Sequence, residues 1–154
     1  MTLRQITRDI VSGIIISADN KILLGKHDPT MGGVYSDCWH IPGGGIEQGE
    51  TKEIALAREI LEETGLDIAS ATIELLDDTK KGVSEKTLKD TGERVICNMN
   101  FNDYRIRFSI PASNIVLNPT DDLVELRWMS FQELAEVNLA PPSIELFRKL
   151  GYLK

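Results

Sequence analysis

Three glutamates on one short segment, Glu59, Glu62 and Glu63, are the side chains in this sequence best placed to do chemistry. With Glu59 set to zero on an α-helical wheel, Glu62 falls near ~300° and Glu63 near ~40°, so the carboxylates share an arc of roughly 100°. Like charges three and four positions apart weaken a helix by about a few tenths of a kcal/mol per pair, which calls for some compensation. Carboxylate oxygens suit a hard divalent ion such as Mg²⁺, which sits between one or two carboxylates and the phosphates of a substrate. Arg58 lies beside Glu62 on the same wheel, where its guanidinium could orient a carboxylate or contact phosphate. The plainer reading of the same residues is a solvated acidic helix face carrying an ordinary surface ion pair.

These acids need a helix to carry them and a loop to face them. Thr51 is a suitable cap for KEIALAREILEET, and Gly65 supplies a left-handed stop, so a helix is predicted over 51–64. On the wheel Ile54, Ala57, Ile60 and Leu61 form the apolar stripe expected to dock this helix, with the acids pointing away from the core. The preceding PGGGIEQGE supplies flexible backbone that can approach a metal or phosphate closely. Upstream, DIVSGIIIS (9–17) and KILLGK (21–26) read as a strand hairpin turning at Asp19-Asn20. A loop-rich stretch over 25–50 surrounds a short segment near Trp39 and Ile41. Downstream, 68–79 reads as a strand and 80–94 as a long exposed loop over the site. Alternation in 97–102 and 104–110 predicts two half-buried antiparallel strands. Residues 123–129 read as a further strand, Ser130 as the cap of a short helix FQELAEV, and Pro141-Pro142 as the start of a last helix. A mixed sheet with helices on both sides accommodates this order, in one domain over 1–154.

Gly44, Glu50 and the run Arg58-Glu59-Ile60-Leu61-Glu62-Glu63-Thr64-Gly65-Leu66 together resemble a complete Nudix box, 23 contiguous residues from Gly44 to Leu66. KILLGK, WHIPGG and VELRWMSFQEL resemble the segments that flank this box in the Nudix hydrolase family. The resemblance implies the α/β/α sandwich with a mixed β-sheet and hydrolysis of a nucleoside diphosphate linked to a group X. It further implies that Glu59, Glu62 and Glu63 bind metal and serve catalysis, that Gly43 offers a carbonyl to the metal, and that Glu50 and Arg58 hold loop and acids. In MutT-type members a further acid precedes the late tryptophan; Asp122, six residues before Trp128, is the best match, with Asp121 and Glu125 as competitors. The metal would be Mg²⁺, with Mn²⁺ a substitute, and Glu59 is the expected general base, a metal-binding role for it remaining open. Lys26 could reach phosphate and His27 could assist, against an equally good reading as solvated strand-end residues; Trp39 reads as packing.

LAPPSIELFRKLGYL resembles the C-terminal proline turn and helix of MutT-type enzymes, which favours a nucleoside triphosphate cut to release pyrophosphate. Ser143 stands where that group has an asparagine that reads oxidised guanine, so this specificity is not implied. ADP-ribose, another nucleotide sugar, a dinucleotide or an RNA 5′ end are alternatives, and substrate choice is expected in 77–94 and 97–110. Two rivals from other classes are a nucleotide-sensing regulatory domain without turnover and a plain α/β domain with an accidental acidic helix.

The 154 residues carry a formal net charge of −7, which argues against a broad surface for duplex nucleic acid but not against a polyanionic small substrate met through a cation. No apolar run reaches the roughly 18 residues of a membrane span. Two widely spaced cysteines, Cys38 and Cys97, suit free thiols in a reducing compartment, and the N-terminal stretch lacks a signal-like pattern, so a cytoplasmic monomer or homodimer is expected.

Overall fold

The computed structural model describes residues 2–27, 37–119 and 123–154, the last segment with side chains from 125 onward. β1 (Arg4–Ile16) is the axis of the sheet. Its β-branched residues Ile14, Ile15 and Ile16 are fully buried and face both sides, as expected of a strand covered on both faces. β2 (Lys21–His27) returns antiparallel to it after the turn at Asn20, whose φ is 60°; this is the expected hairpin, with β1 starting earlier than the apolar run suggested.

Along its other edge β1 pairs in parallel with β7 (Arg94–Arg107), in register from Arg4↔Val95 to Ile16↔Arg107. The outer edge of β7 is shared: β6 (Lys81–Thr87) pairs with its first half and β5 (Thr72–Asp77) with its second, both antiparallel. β3 (Trp39–His40) and β8 (Leu123–Ser130) flank β2, and β4 (Gly43–Gly45) pairs with Ile10–Ser12 of β1.

Two helices cover opposite faces of this mixed sheet, giving the α/β/α sandwich. α1 (Lys52–Thr64) closes a core of Val11, Ile15, Leu23, Tyr104 and Ile106. α2 (Pro141–Lys149) closes a second core of Ile14, Ile16, Ile22, Leu24 and Met129. Among the described residues no helix is long and apolar enough to cross a membrane.

Several expectations need correction. Residues 81–87 form a strand where a loop was expected; β6 is an edge strand with mostly exposed side chains, so its ladder leaves no apolar period to read. Residues 97–110 do not make two antiparallel strands; 94–107 is one strand through Asn102 and Asp103, which are buried polar residues in mid-run. The strand expected over 68–79 is a 3₁₀ turn at Ile68–Ser70 followed by β5. After Ser130 the helix shrinks to a 3₁₀ turn at Glu133–Ala135, closed by reciprocal bonds: Ser130 Oγ accepts from Glu133 N and Glu133 Oε1 accepts from Ser130 N.

Candidate functional site

The helix begins and ends as its sequence dictates. Thr51 Oγ1 accepts from Ile54 N at 3.2 Å, and Gly65, at φ 77°, returns its N–H to Leu61 O. The buried face differs from the expected one. Ala55, Leu56 and Ile60 are fully buried, whereas Ile54 and Leu61 are more than half exposed and Ala57 is exposed; of the expected stripe only Ile60 reaches the core. This rotation has a consequence for the acids. Glu63 does not point away from the core: it is 6% exposed, and its Oε1 accepts from Gly43 N at 2.9 Å. Helix and glycine loop are joined through a partly buried charge-assisted bond, a placement that wheel geometry could not give.

β4 holds the loop. Its three glycines lie against β1, Ile46 N donates to Asp9 O at 2.8 Å, and Gly13 N donates to Pro42 O at 2.9 Å. A Cβ on Gly44 would fall 2.4 Å from Glu59 Cδ, so glycine here lets the Glu59 carboxylate rest against backbone. On the other face a Cβ on Gly45 would fall 2.1 Å from Arg8 Nη2.

Arg58 ties these parts together. Nε and Nη2 grip Glu50 at 2.7 and 2.8 Å, Nη2 also donates to Gly45 O at 3.0 Å, and Nη1 donates to Glu59 Oε1 at 3.0 Å and Glu62 Oε2 at 3.3 Å. All five donors of the guanidinium are thereby used. Glu50 also accepts from Glu47 N at 2.8 Å. The Arg58 guanidinium first, and this amide second, hold the Glu50 carboxyl down at about 2. Glu50 in turn is the main cause of the raised pKa of Arg58. One guanidinium faces Glu50, Glu59, Glu62 and the loop to which Glu63 is bonded, so the cluster keeps a formal excess of negative charge.

That excess and an all-oxygen donor set fit a hard divalent cation. Among the described residues no three acidic, imidazole or thiol side chains converge closely enough to hold an ion alone. Mg²⁺ does not require such a cage, because it retains waters and takes phosphate oxygens as ligands.

The structure thus brings together Arg58, Glu59, Glu62, Glu63, Gly43 and Glu50. Lys26 and His27 lie further upstream: Lys26 Nζ stands 5.4 Å from the Trp39 ring centroid, and His27 stacks on His40 at 4.4 Å. Trp39, 6% exposed, is a packing residue bridged to Leu139. His40 Nδ1 is 3.1 Å from Ile41 O, while its buried Nε2 has no partner among the described residues. Burial lowers the His40 pKa. Asp121 and Asp122 lie outside the described residues; Glu125, their competitor, is exposed on β8 opposite Lys26.

The segments expected to choose substrate meet on the α2 side of the sheet. Lys80 Nζ stands 5.5 Å from the Phe101 ring centroid and 3.8 Å from Asp103 Oδ2, beside a cavity of about 200 Å³ lined by Asp77, Thr79, Lys80, Glu145, Leu146 and Lys149. Ser143 is buried at the start of α2. Two residues were not singled out from sequence, Arg8 and His40; each reads as an ordinary strand residue until sheet pairing sets it beside the glycine loop or another ring.

Residues 7–150 match the family model described as the NUDIX domain. An RNA pyrophosphohydrolase of Rickettsia bellii is 32% identical over 145 residues, covering 82% of this chain and 77% of that protein. An ADP-ribose pyrophosphatase of Methanocaldococcus jannaschii is 54% identical over 54 residues, 34% of this chain and 29% of that one. MutT from Aliivibrio salmonicida and Vibrio cholerae shares the fold, with a TM-score of 0.59 over 94% of this chain and 96% of that one at 20% identity.

Proposed function

The chain belongs to the Nudix family, and from that premise we propose that it is a metal-dependent pyrophosphohydrolase cutting a phosphoanhydride bond in a nucleoside diphosphate linked to X, with a nucleoside triphosphate as first substrate. The observation that carries this reading is the Arg58 hub, which binds Glu50, Gly45, Glu59 and Glu62 at once and so fixes the acids against the glycine turn. Glu59, Glu62, Glu63 and the Gly43 carbonyl are the groups that would hold Mg²⁺ or Mn²⁺, with Asp122 as a further acid. When bound, the ion neutralises phosphate charge and lowers the pKa of a coordinated water. Glu59 receives the proton of the attacking water. Arg58 keeps Glu59 and Glu62 oriented, Glu63 fixes the turn through Gly43 N, and Lys26 and His27 contact the substrate's phosphates.

A second reading, an RNA 5′ end as substrate, is favoured by the Rickettsia bellii relative, whose match spans most of both chains. The resemblance to the ADP-ribose enzyme covers 54 residues, and this stretch is too short to carry a substrate.

A hydrolysis screen with and without Mg²⁺ tests the proposal, reading pyrophosphate or phosphate release from nucleoside triphosphates and 5′-triphosphorylated oligonucleotides and AMP formation from ADP-ribose. Release is expected only with metal, and Glu59→Gln should lower kcat by about 10²-fold or more with substrate binding retained. A protein that binds these nucleotides without turning any of them over is a regulatory module. Metal-independent turnover overturns the metal-dependent reading, and turnover unchanged in Glu59→Gln removes the assigned base.

A further inference from the structure

The first half of β7 lies between β1 and β6, and register places Arg4, Ile6, Arg8 and Ile10 of β1 on the same face as Val95, Cys97, Met99 and Phe101 of β7 and Gly82, Ser84 and Lys86 of β6. The floor of this face is apolar: Val95 and Cys97 are buried, and Ile6, Met99 and Phe101 are half-buried. At its rim stand two cations with an unusual property. Arg8 and Lys86 are both partly buried, yet among the described residues neither has a side-chain hydrogen bond or an ion pair. Other cations on or near this face are engaged: Arg4 with Glu93 at 2.8 Å, and Lys80 with Asp103 at 3.8 Å.

Arg8 is also close to the chemistry. Its Nη2 occupies the space a Cβ on Gly45 would fill, and the carbonyl of that same Gly45 accepts from Arg58. Burial, and after it repulsion from Arg8, lower the Lys86 pKa, so the two charges feel one another. A partly desolvated pair of like charges is costly to keep without a counter-ion, and among the described residues no acid pairs with either.

We propose that Arg8 and Lys86 form a second phosphate subsite, which takes a phosphate of the substrate beyond the bond being cut, while Met99 and Phe101 give the adjoining group an apolar surface. This rests on the hydrolytic reading for the identity of the substrate, but the subsite itself is a binding property. The phosphate has two sources: the far end of a polyphosphate chain, or the phosphodiester that follows the first nucleoside of an oligonucleotide. A bidentate guanidinium suits either.

Binding is measured in the full chain carrying Glu59→Gln to suppress turnover, with Mg²⁺, using ATP and a 5′-triphosphorylated dinucleotide as probes. Arg8→Gln is expected to raise Kd about tenfold for at least one probe, Lys86→Gln severalfold, and Arg8→Lys to restore part of the loss. Weakening confined to the dinucleotide identifies the phosphodiester; equal weakening of both identifies the polyphosphate chain. Thermal melting should not fall in Arg8→Gln, because among the described residues no internal bond is lost and repulsion on Lys86 is relieved. Unchanged Kd for both probes in both variants, or no binding of either probe before substitution, overturns the subsite. Weakened binding in a protein whose Glu59 form hydrolyses neither probe keeps the subsite and sinks the hydrolytic reading. Hydrolysis with unchanged Kd sinks the subsite alone.

Discussion

Two arginines meet at Gly45 and behave as opposites. Arg58 approaches from the helix and uses every donor it has on Glu50, Glu59, Glu62 and the Gly45 carbonyl. Arg8 lies against the other face of the same residue and uses none within the described structure. A saturated guanidinium holds its neighbours in place, whereas an unsatisfied one in a half-buried position is available to something that arrives. The difference separates the part of the site that maintains shape from the part offered to a ligand.

The strongest test of this contrast is Arg58→Gln. It leaves Glu50 without its main partner and frees Glu59 and Glu62, so a loss of about 2 kcal/mol of stability is expected in denaturant titration, together with at least about a tenfold fall in kcat. Arg8→Gln should leave stability within about 0.5 kcal/mol. If the two variants destabilise equally, the contrast fails.

Alanine at adjacent glycines sharpens it further. In Gly44→Ala the new methyl lands on the Glu59 carboxylate, so turnover should fall by about tenfold or more across all substrates. In Gly45→Ala it lands on the end of the Arg8 side chain, which can swing away; the expected result is weaker binding of phosphate-bearing probes with kcat nearly retained. The same kinetic signature from both variants would show that the two faces of the loop are not separable.

The smallest effect concerns pH. The Glu50 carboxyl is held at about 2, well below an unfolded carboxylate near ~4.3, so its contribution to stability is complete above the unfolded value and is lost as pH falls through the folded one. Unfolding followed between about pH 5 and 2 should therefore show an acid limb that becomes shallower in Arg58→Gln and is unaltered in Arg8→Gln. An equal limb in all three proteins would deny Arg58 this role.

The helix was legible in the sequence because its signals are local: Thr51, Gly65 and the acid spacing need no knowledge of the sheet. Which face it buries was not. Ala55 and Leu56 reach the core while Ile54 and Leu61 stay exposed, because the loop bond from Gly43 to Glu63 and packing on Ile15 and Tyr104 set the rotation. The single long β7 was hidden by Asn102 and Asp103, polar residues in mid-run: Asn102 Nδ2 donates to Ile10 O at 3.1 Å, and Asp103 Oδ2 stands 3.8 Å from Lys80 Nζ. Arg8 was hidden for a related reason. In sequence it is one charge in a mixed N-terminal segment, and its place beside Gly45 exists only through the pairing of Ile10 with that glycine.

The parallel ladder between β1 and β7 also sets an order of events in making the molecule. Asp9 and Asn100, bonded side chain to side chain across it, stand 91 positions apart. Joining strands so distant requires a large loop to close before any bond rewards it, which slows folding relative to a chain of local contacts. On the ribosome the acidic helix and its turn emerge well before β7, so one flank of the first strand remains open through much of translation. Chaperone demand, and aggregation of nascent chains halted short of Arg107, are where this arrangement should be felt.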